Sequence, residues 1–182
     1  MLRTILKYGT LAGLLIGLPT FGSFVILREN HPGGYAGMAL GYSIMLLGLS
    51  MVFLAIKRRR DELGGVIRFL PALGLGLAIS LVASLFYVLA WEAAQAVTGI
   101  DYIGGYIDSA IAEKRAAGAS AAEIARFSAE MAAFKAQYAQ LRFRVPMTLT
   151  EILPVGILVS FVSAGLLCNA RFLPGRATPR PA

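Results

Sequence analysis

Few side chains in this 182-residue sequence are suited to chemistry. Cys168 is the single cysteine, which excludes an internal disulfide framework and a Cys-rich metal site. His31 is the single histidine, which excludes HExxH chemistry, and no second type of metal ligand stands beside it. No Walker loop, GxSxG elbow or CxxC motif occurs. We therefore expect no enzyme activity, no cofactor and no metal.

Two glutamates remain as candidates for an ion or proton site. Glu151 is the only acid within a predicted membrane span, and an ionisable group in a membrane is a functional candidate by default. Glu92 ends the preceding span on the same side, and two nearby carboxylates can bind a cation or share a proton. The alternative is structural: Glu151 pairs with Arg142 or Arg144, reaches lipid headgroups, or forms hydrogen bonds as the neutral acid.

The elements that position these glutamates follow from composition. The chain is 57% apolar and 15% charged, with a mean hydropathy of +0.69, whereas soluble domains carry about 25% charge. A span needs about 20 apolar residues. Four segments meet this requirement, so we predict one integral membrane domain over 1–182 and an all-α four-helix transmembrane bundle, with spans at about 8–27, 36–56, 69–91 and 147–168. No A-x-A cleavage site follows the first, which we expect to be retained.

The distribution of charge predicts the orientation. The N-terminal flank, the second loop and the C-terminal tail (169–182) hold ten Lys and Arg, including Lys57–Arg60, against Asp61 and Glu62. The loop between the third and fourth spans has six cations and six acids. By the positive-inside rule, both termini are cytoplasmic. The basic excess is thus a topology signal, so we expect the lipid bilayer and not nucleic acid as the partner.

Small residues recur every fourth position in each predicted span, and such tracks let helix backbones approach in lipid. They favour either a close bundle or self-association in a homo-oligomer. The tracks are Gly9, Gly13 and Gly17; Gly37 and Gly41; Gly76, Ser80 and Ser84; and Gly156, Ser160 and Ala164.

The segment at about 101–142 is predicted to be an extracytoplasmic amphipathic helical hairpin. Asp101 can cap its first helix, Gly118 ends that helix, and Ser120 with Glu123 forms a capping box for the second. An apolar stripe with alternating spacings of three and four then follows, which indicates a strongly amphipathic helix. It either packs on the isoleucines of the first helix, binds a partner, or lies in the lipid interface. The stripe is Ile124, Phe127, Met131, Phe134, Tyr138 and Leu141.

The order of these segments resembles the bacterial family catalogued as domain of unknown function 4199. The resemblance covers nearly the whole chain, and it implies a four-span bacterial membrane protein with the same hairpin. It brings no known activity and no catalytic residue. The motifs that carry it include RTILKYGTLAGL at 3–14, GYSIMLLGLSMVFLAIKRRRD at 41–61, LFYVLAW at 85–91 and EILPVG at 151–156.

The leading functional hypothesis is a non-enzymatic multi-pass protein of the bacterial inner membrane, with its outer hairpin packed on itself or on a membrane-protein partner. The chief alternative is a small transporter or channel subunit that uses Glu151 and Glu92. An enzyme acting on lipid is least favoured, since no nucleophile–base pair is found.

Overall fold

The computed structural model describes residues 1–27, 34–99 and 101–174, and over these residues the chain is all-helical. The predicted turn at 28–33, which contains His31, and the end of the predicted tail, 175–182, lie outside the described residues. The six helices are α1 (Leu2–Leu27), α2 (Gly34–Glu62), α3 (Phe69–Thr98), α4 (Tyr102–Ala116), α5 (Ala121–Tyr138) and α6 (Leu141–Leu167).

Four of these helices, α1, α2, α3 and α6, are long and apolar enough to cross a membrane. The shortest has 26 residues, which at 1.5 Å per residue spans about 39 Å, more than the roughly 30 Å of a hydrocarbon core. The prediction of an all-α fold with four candidate spans is confirmed. The helices α3 and α6 both extend past the predicted spans, to Thr98 and back to Leu141.

The helix α3 lies at the centre of the bundle. It packs against α1, α2 and α6, and 56% of its most apolar stretch is buried, against 28–33% for the other three. Its small residues Ala72, Gly76, Ser80 and Ala83 are among those buried. Small side chains at these positions let three neighbours approach one helix.

The predicted glycine track of α1 is the contact surface with α3. A Cβ placed on Gly9 would lie 2.6 Å from Val82 Cβ, one on Gly13 2.5 Å from Phe86 Cγ, and one on Gly17 3.3 Å from Ala90 Cβ. Each step of four along α1 is matched by a step of four in the same direction along α3. The two helices therefore run parallel.

The contact between α3 and α6 uses small residues from both sides and is antiparallel. A Cβ on Gly76 would lie 2.9 Å from Ser160 Cβ, and one on Gly156 would lie 2.8 Å from Ser80 Cβ. The Ser160 hydroxyl donates to the Gly156 carbonyl at 2.7 Å, so its polar atom is satisfied within its own helix.

The predicted glycine track of α2 is not the contact surface at Gly41. Nothing lies within 4 Å of a Cβ placed there, whereas Gly48, which was not predicted, abuts Ile16 and lies 3.0 Å from the Ala12 carbonyl oxygen by the same measure. Spacing shows which residues share a face of a helix. It does not show where along that face a neighbouring helix arrives.

The first turn of α1, the end of α2, the start of α3 and the end of α6 lie at one end of the bundle, which we call the basic end. Here Arg60 is fully buried. Its Nη1 donates to the Phe172 carbonyl at 2.8 Å, and its Nη2 donates to the Leu173 carbonyl. Arg60 therefore attaches the segment after α6 to α2, since the last carbonyls of a helix and those just beyond it need donors.

The helices α4 and α5 lie at the opposite end and contact one another. Asp101 caps α4 by accepting the Gly104 N–H at 2.9 Å. Ser120 and Glu123 form the predicted capping box of α5, with Ser120 N–H donating to Glu123 Oε2 at 2.8 Å. Gly118, between the helices, has φ +81°, a conformation that favours glycine.

Replacing Gly13 tests the parallel contact of α1 with α3. We expect Gly13→Ala to lower the free energy of unfolding by about 1–3 kcal/mol, because the new methyl group overlaps Phe86 Cβ and Cγ, which are too close to the backbone to move freely. Thermal unfolding in detergent measures the effect. The matched control is Gly41→Ala, which meets open space and should be neutral or slightly stabilising. Equal losses in both variants would contradict the close contact.

Candidate functional site

The structure gives Glu92 an arginine partner. The Arg144 guanidinium of α6 binds the carboxylate of Glu92 on α3 at two points, Nε to Oε1 at 2.7 Å and Nη2 to Oε2 at 2.5 Å. The side chain of Glu92 is only 23% exposed and that of Arg144 only 17%. Two parallel N–H···O bonds are the strongest geometry for such a pair. Both oxygens of Glu92 are therefore engaged by one cation.

Glu151 has a different partner. Tyr87 of α3, which is buried, donates its hydroxyl to Glu151 Oε2 at 2.8 Å. The Glu151 residue itself is exposed on α6. The arginine partner considered for Glu151 therefore belongs to Glu92, and a tyrosine hydroxyl takes its place.

The two predicted site residues thus lie along one contact between α3 and α6, each with its own partner. Among the residues that the structure describes, no group of three or more His, Cys, Asp and Glu side chains could hold a metal ion. Each carboxylate has an ordinary structural neighbour. This arrangement is typical of helix attachment, and the role of the pair as an ion or proton site stays a prediction.

A buried hydrogen bond joins α5 to α3 next to the ion pair. Trp91 Nε1 donates to the Tyr138 hydroxyl oxygen at 2.9 Å, and the two residues are 7% and 9% exposed. The Arg144 guanidinium also lies over the Tyr138 ring, 5.8 Å from its centroid. We call the set Trp91, Glu92, Tyr138 and Arg144 the junction.

Aromatic rings extend the junction to two further helices. Phe24 of α1 and Tyr102 of α4 each pack edge-to-face against Trp91, with centroids 5.0 and 5.2 Å away, and against one another at 5.6 Å. Such pairs contribute about 0.5–1.5 kcal/mol each beyond their buried area. Trp91 is consequently the residue at which α1, α3, α4 and α5 meet.

Electrostatics keep the Tyr138 hydroxyl protonated. Burial raises the pKa of Tyr138, the hydrogen bond from Trp91 acts against this, and the negative charges of Glu151 and Glu92 raise it further. Tyr138 therefore remains a neutral phenol at physiological pH. It accepts the indole N–H and is not available as a base.

A second charged contact ties the start of α4 to α5. Lys135 forms an ion pair with Asp101, whose other carboxylate oxygen accepts the Gly104 N–H. The Lys135 ammonium and then this N–H hold the pKa of Asp101 below its usual range. Asp101 thus serves as both a helix cap and an interhelical contact.

The predicted partner-binding stripe is only partly available. Ile124, Phe127, Met131 and Phe134 are half-buried, and Tyr138 is buried in the junction. Leu141 does not belong to the same helix, because α5 ends at Tyr138 and Leu141 begins α6, where it is 58% exposed. The stripe therefore ends at Tyr138, three residues before the last position that its spacing indicates.

Sequence reasoning missed the pairing of the junction residues. The sequence analysis assigns Tyr138 only to the apolar stripe and assigns no partner to Trp91 or Tyr87. These partners are separated by 47 to 64 positions in the chain, so no local spacing in the sequence identifies them.

Together the fold and the junction define an all-helical protein with four helices able to span a membrane and a pair of helices attached at one end. The chain belongs to the family described as protein of unknown function (DUF4199), whose profile matches residues 7–169. The family resemblance seen in the sequence is confirmed. No curated protein matches the chain. No solved structure matches it either.

Removing one hydroxyl group tests the junction. We expect Tyr138→Phe to lower the free energy of unfolding by about 1–3 kcal/mol, because the buried Trp91 N–H loses its acceptor. Trp91 is the only tryptophan, so its emission reports the change directly. Tyr106→Phe is the matched control, since Tyr106 of α4 is 59% exposed. A Tyr138→Phe protein with wild-type stability and emission would show that the hydrogen bond does not contribute to the free energy of unfolding.

Proposed function

We propose that this chain is a non-enzymatic multi-pass protein of the bacterial inner membrane that presents the α4–α5 pair to a partner outside the cytoplasm. The observation that carries the proposal is the junction. A buried hydrogen bond from Trp91 to Tyr138 and the edge-to-face contacts of Tyr102 with Phe24 and Trp91 attach the pair to the spanning helices, and the two-point ion pair joins α3 to α6 beside them. A loop that only connected two spans would not need this attachment.

The distribution of charge supports an orientation with both termini in the cytoplasm. The cations of the basic end outnumber Asp61 and Glu62. The residues of α4 and α5 are balanced, with Arg126 and Glu130 paired at 3.6 Å and Lys135 paired with Asp101. Flanks rich in Lys and Arg stay on the cytoplasmic side. The α4–α5 pair is then outside.

The surfaces of the pair favour binding over catalysis. The stripe from Ile124 to Phe134 is half-buried, so its outer edge remains available to a partner helix. Tyr106 of α4 adds an exposed aromatic ring. Aromatic and methionine side chains at the edge of a helix pair are typical of protein contacts. The partner is a second copy of the chain or another membrane protein.

The second candidate is a small transporter or channel subunit, and one observation favours it. Glu151 is an exposed carboxylic acid on a helix long enough to span a membrane, with Tyr87 as its hydrogen-bond partner. An acid in such a position is a candidate proton carrier. Against it, Glu92 is engaged by Arg144 and leaves Glu151 without a second free carboxylate.

The two candidates differ in which variants lose function. Partner binding predicts that Phe127→Ala reduces the recovery of a cross-linked partner or dimer from native membranes several-fold, while Glu151→Gln leaves it unchanged. Transport predicts that Glu151→Gln reduces proton flux in proteoliposomes, while Phe127→Ala leaves that flux unchanged. Glu130→Gln is the control for Glu151→Gln, since it removes an exposed acid from α5. Loss of cross-linking in Glu151→Gln but not in Phe127→Ala would contradict the leading proposal.

Reporter fusions test the orientation. Alkaline phosphatase inserted between Gly118 and Ala119 should be active, because it folds outside the cytoplasm, whereas the same insertion between Gly64 and Gly65 should be inactive. Both sites lie in turns with positive-φ glycine, so the helices on either side are kept. Green fluorescent protein at the same two sites should give the reverse pattern. If alkaline phosphatase were active at both sites, or inactive at both, the proposed orientation would be overturned.

A further inference from the structure

Cations at the basic end exceed the carboxylates available to them. Lys57 pairs with Asp61 at 2.8 Å, while Arg58 and Arg59 share Glu62 at 3.3 and 3.2 Å. Three cations therefore share two carboxylates. Arg60 adds no exposed charge, because it is fully buried among backbone carbonyls.

Further cations surround this group without acids of their own. Arg3, Arg68 and Arg171 are exposed, and none forms an ion pair with another described residue. They come from the first turn of α1, the residue before α3 and the segment after α6. Because α1 and α3 run parallel and α2 and α6 run opposite to them, all of these positions ring the same end of the bundle.

Apolar side chains lie directly beside these cations. Leu6 adjoins Lys7, Leu54 lies one turn before Arg58, and Leu70 follows Arg68 by two positions; all three leucines are exposed. A soluble phosphate or a nucleic acid would engage the cations alone. A phospholipid would engage both, with its phosphate on an arginine and its acyl chains along the neighbouring leucines.

We infer that the basic end binds anionic phospholipid headgroups, with exposed Arg58, Arg68 and Arg171 as the phosphate-binding cations. The arginine guanidinium suits this role, since its fork of donors matches phosphate oxygens. The inference rests on the membrane insertion of the four helices, which is part of the proposed function, and not on which side the basic end faces.

Native mass spectrometry of the full chain tests the inference. The protein is mixed in detergent with equal amounts of phosphatidylglycerol and phosphatidylcholine and then released from the detergent in the spectrometer. We expect it to retain about tenfold or more of the anionic phosphatidylglycerol relative to phosphatidylcholine. The triple variant Arg58→Gln, Arg68→Gln, Arg171→Gln should retain the two lipids about equally. The control triple variant Arg115→Gln, Arg126→Gln, Arg142→Gln removes the same charge from exposed positions on α4, α5 and α6. It should keep the preference for phosphatidylglycerol.

The outcomes separate this inference from the proposed function. Equal retention of both lipids by the wild type, or equal loss in both triple variants, would overturn the inference alone. Displacement of phosphatidylglycerol by millimolar glycerol phosphate would show a site for any phosphate and would also overturn it. Retention of neither lipid by a protein recovered without detergent would instead contradict membrane insertion. Unchanged Trp91 emission in each variant confirms that the bundle has folded.

Discussion

The close approach of three helices to α3 is the constraint on which the rest of the structure depends. In hydrocarbon, apolar side chains gain nothing by leaving lipid for one another, so helices associate through tight packing and a few polar contacts. The glycines of α1 meet Val82 and Phe86, while Gly156 of α6 meets Ser80. These contacts place the C-terminal third of α3, with Trp91 and Glu92, within reach of α5 and α6. The junction follows from that register.

The polar contacts are distributed to suit their surroundings. In the middle of the bundle, the hydroxyls of Ser84 and Ser160 bond backbone carbonyls of their own helices at 2.8 and 2.7 Å, so they are satisfied before any partner arrives. The charged pair Glu92–Arg144 lies near the end of α3, where desolvation is less costly. A buried N–H or hydroxyl without a partner costs free energy, which explains why Trp91 and Tyr138 face each other.

Local features of this fold are readable from the sequence, and distant ones are not. The glycine spacing of α1 and the capping box at Ser120 depend on residues within one or two turns, and both are present in the structure. The junction bonds join residues 47 and 52 positions apart, and the Tyr87–Glu151 bond joins residues 64 positions apart; no pattern in a single sequence records such pairs. The end of α5 was missed for another reason. No glycine or proline stands between Tyr138 and Leu141, so the apolar spacing continues across a helix boundary that packing determines.

Arg60 shows why a count of cations predicts an orientation but not the role of each residue. In the sequence it is one of four successive basic residues, and all four contribute to the same topology signal. In the structure, the side chains of Lys57, Arg58 and Arg59 reach carboxylates near the surface, whereas the Arg60 guanidinium binds the carbonyls of Phe172 and Leu173. Successive residues of a helix point about 100° apart, so one member of such a run must face the neighbouring helix. Arginine tolerates that position better than lysine would, because its five donors can satisfy several carbonyls at once. The same run therefore closes the bundle on one side and presents charge to the surroundings on the other.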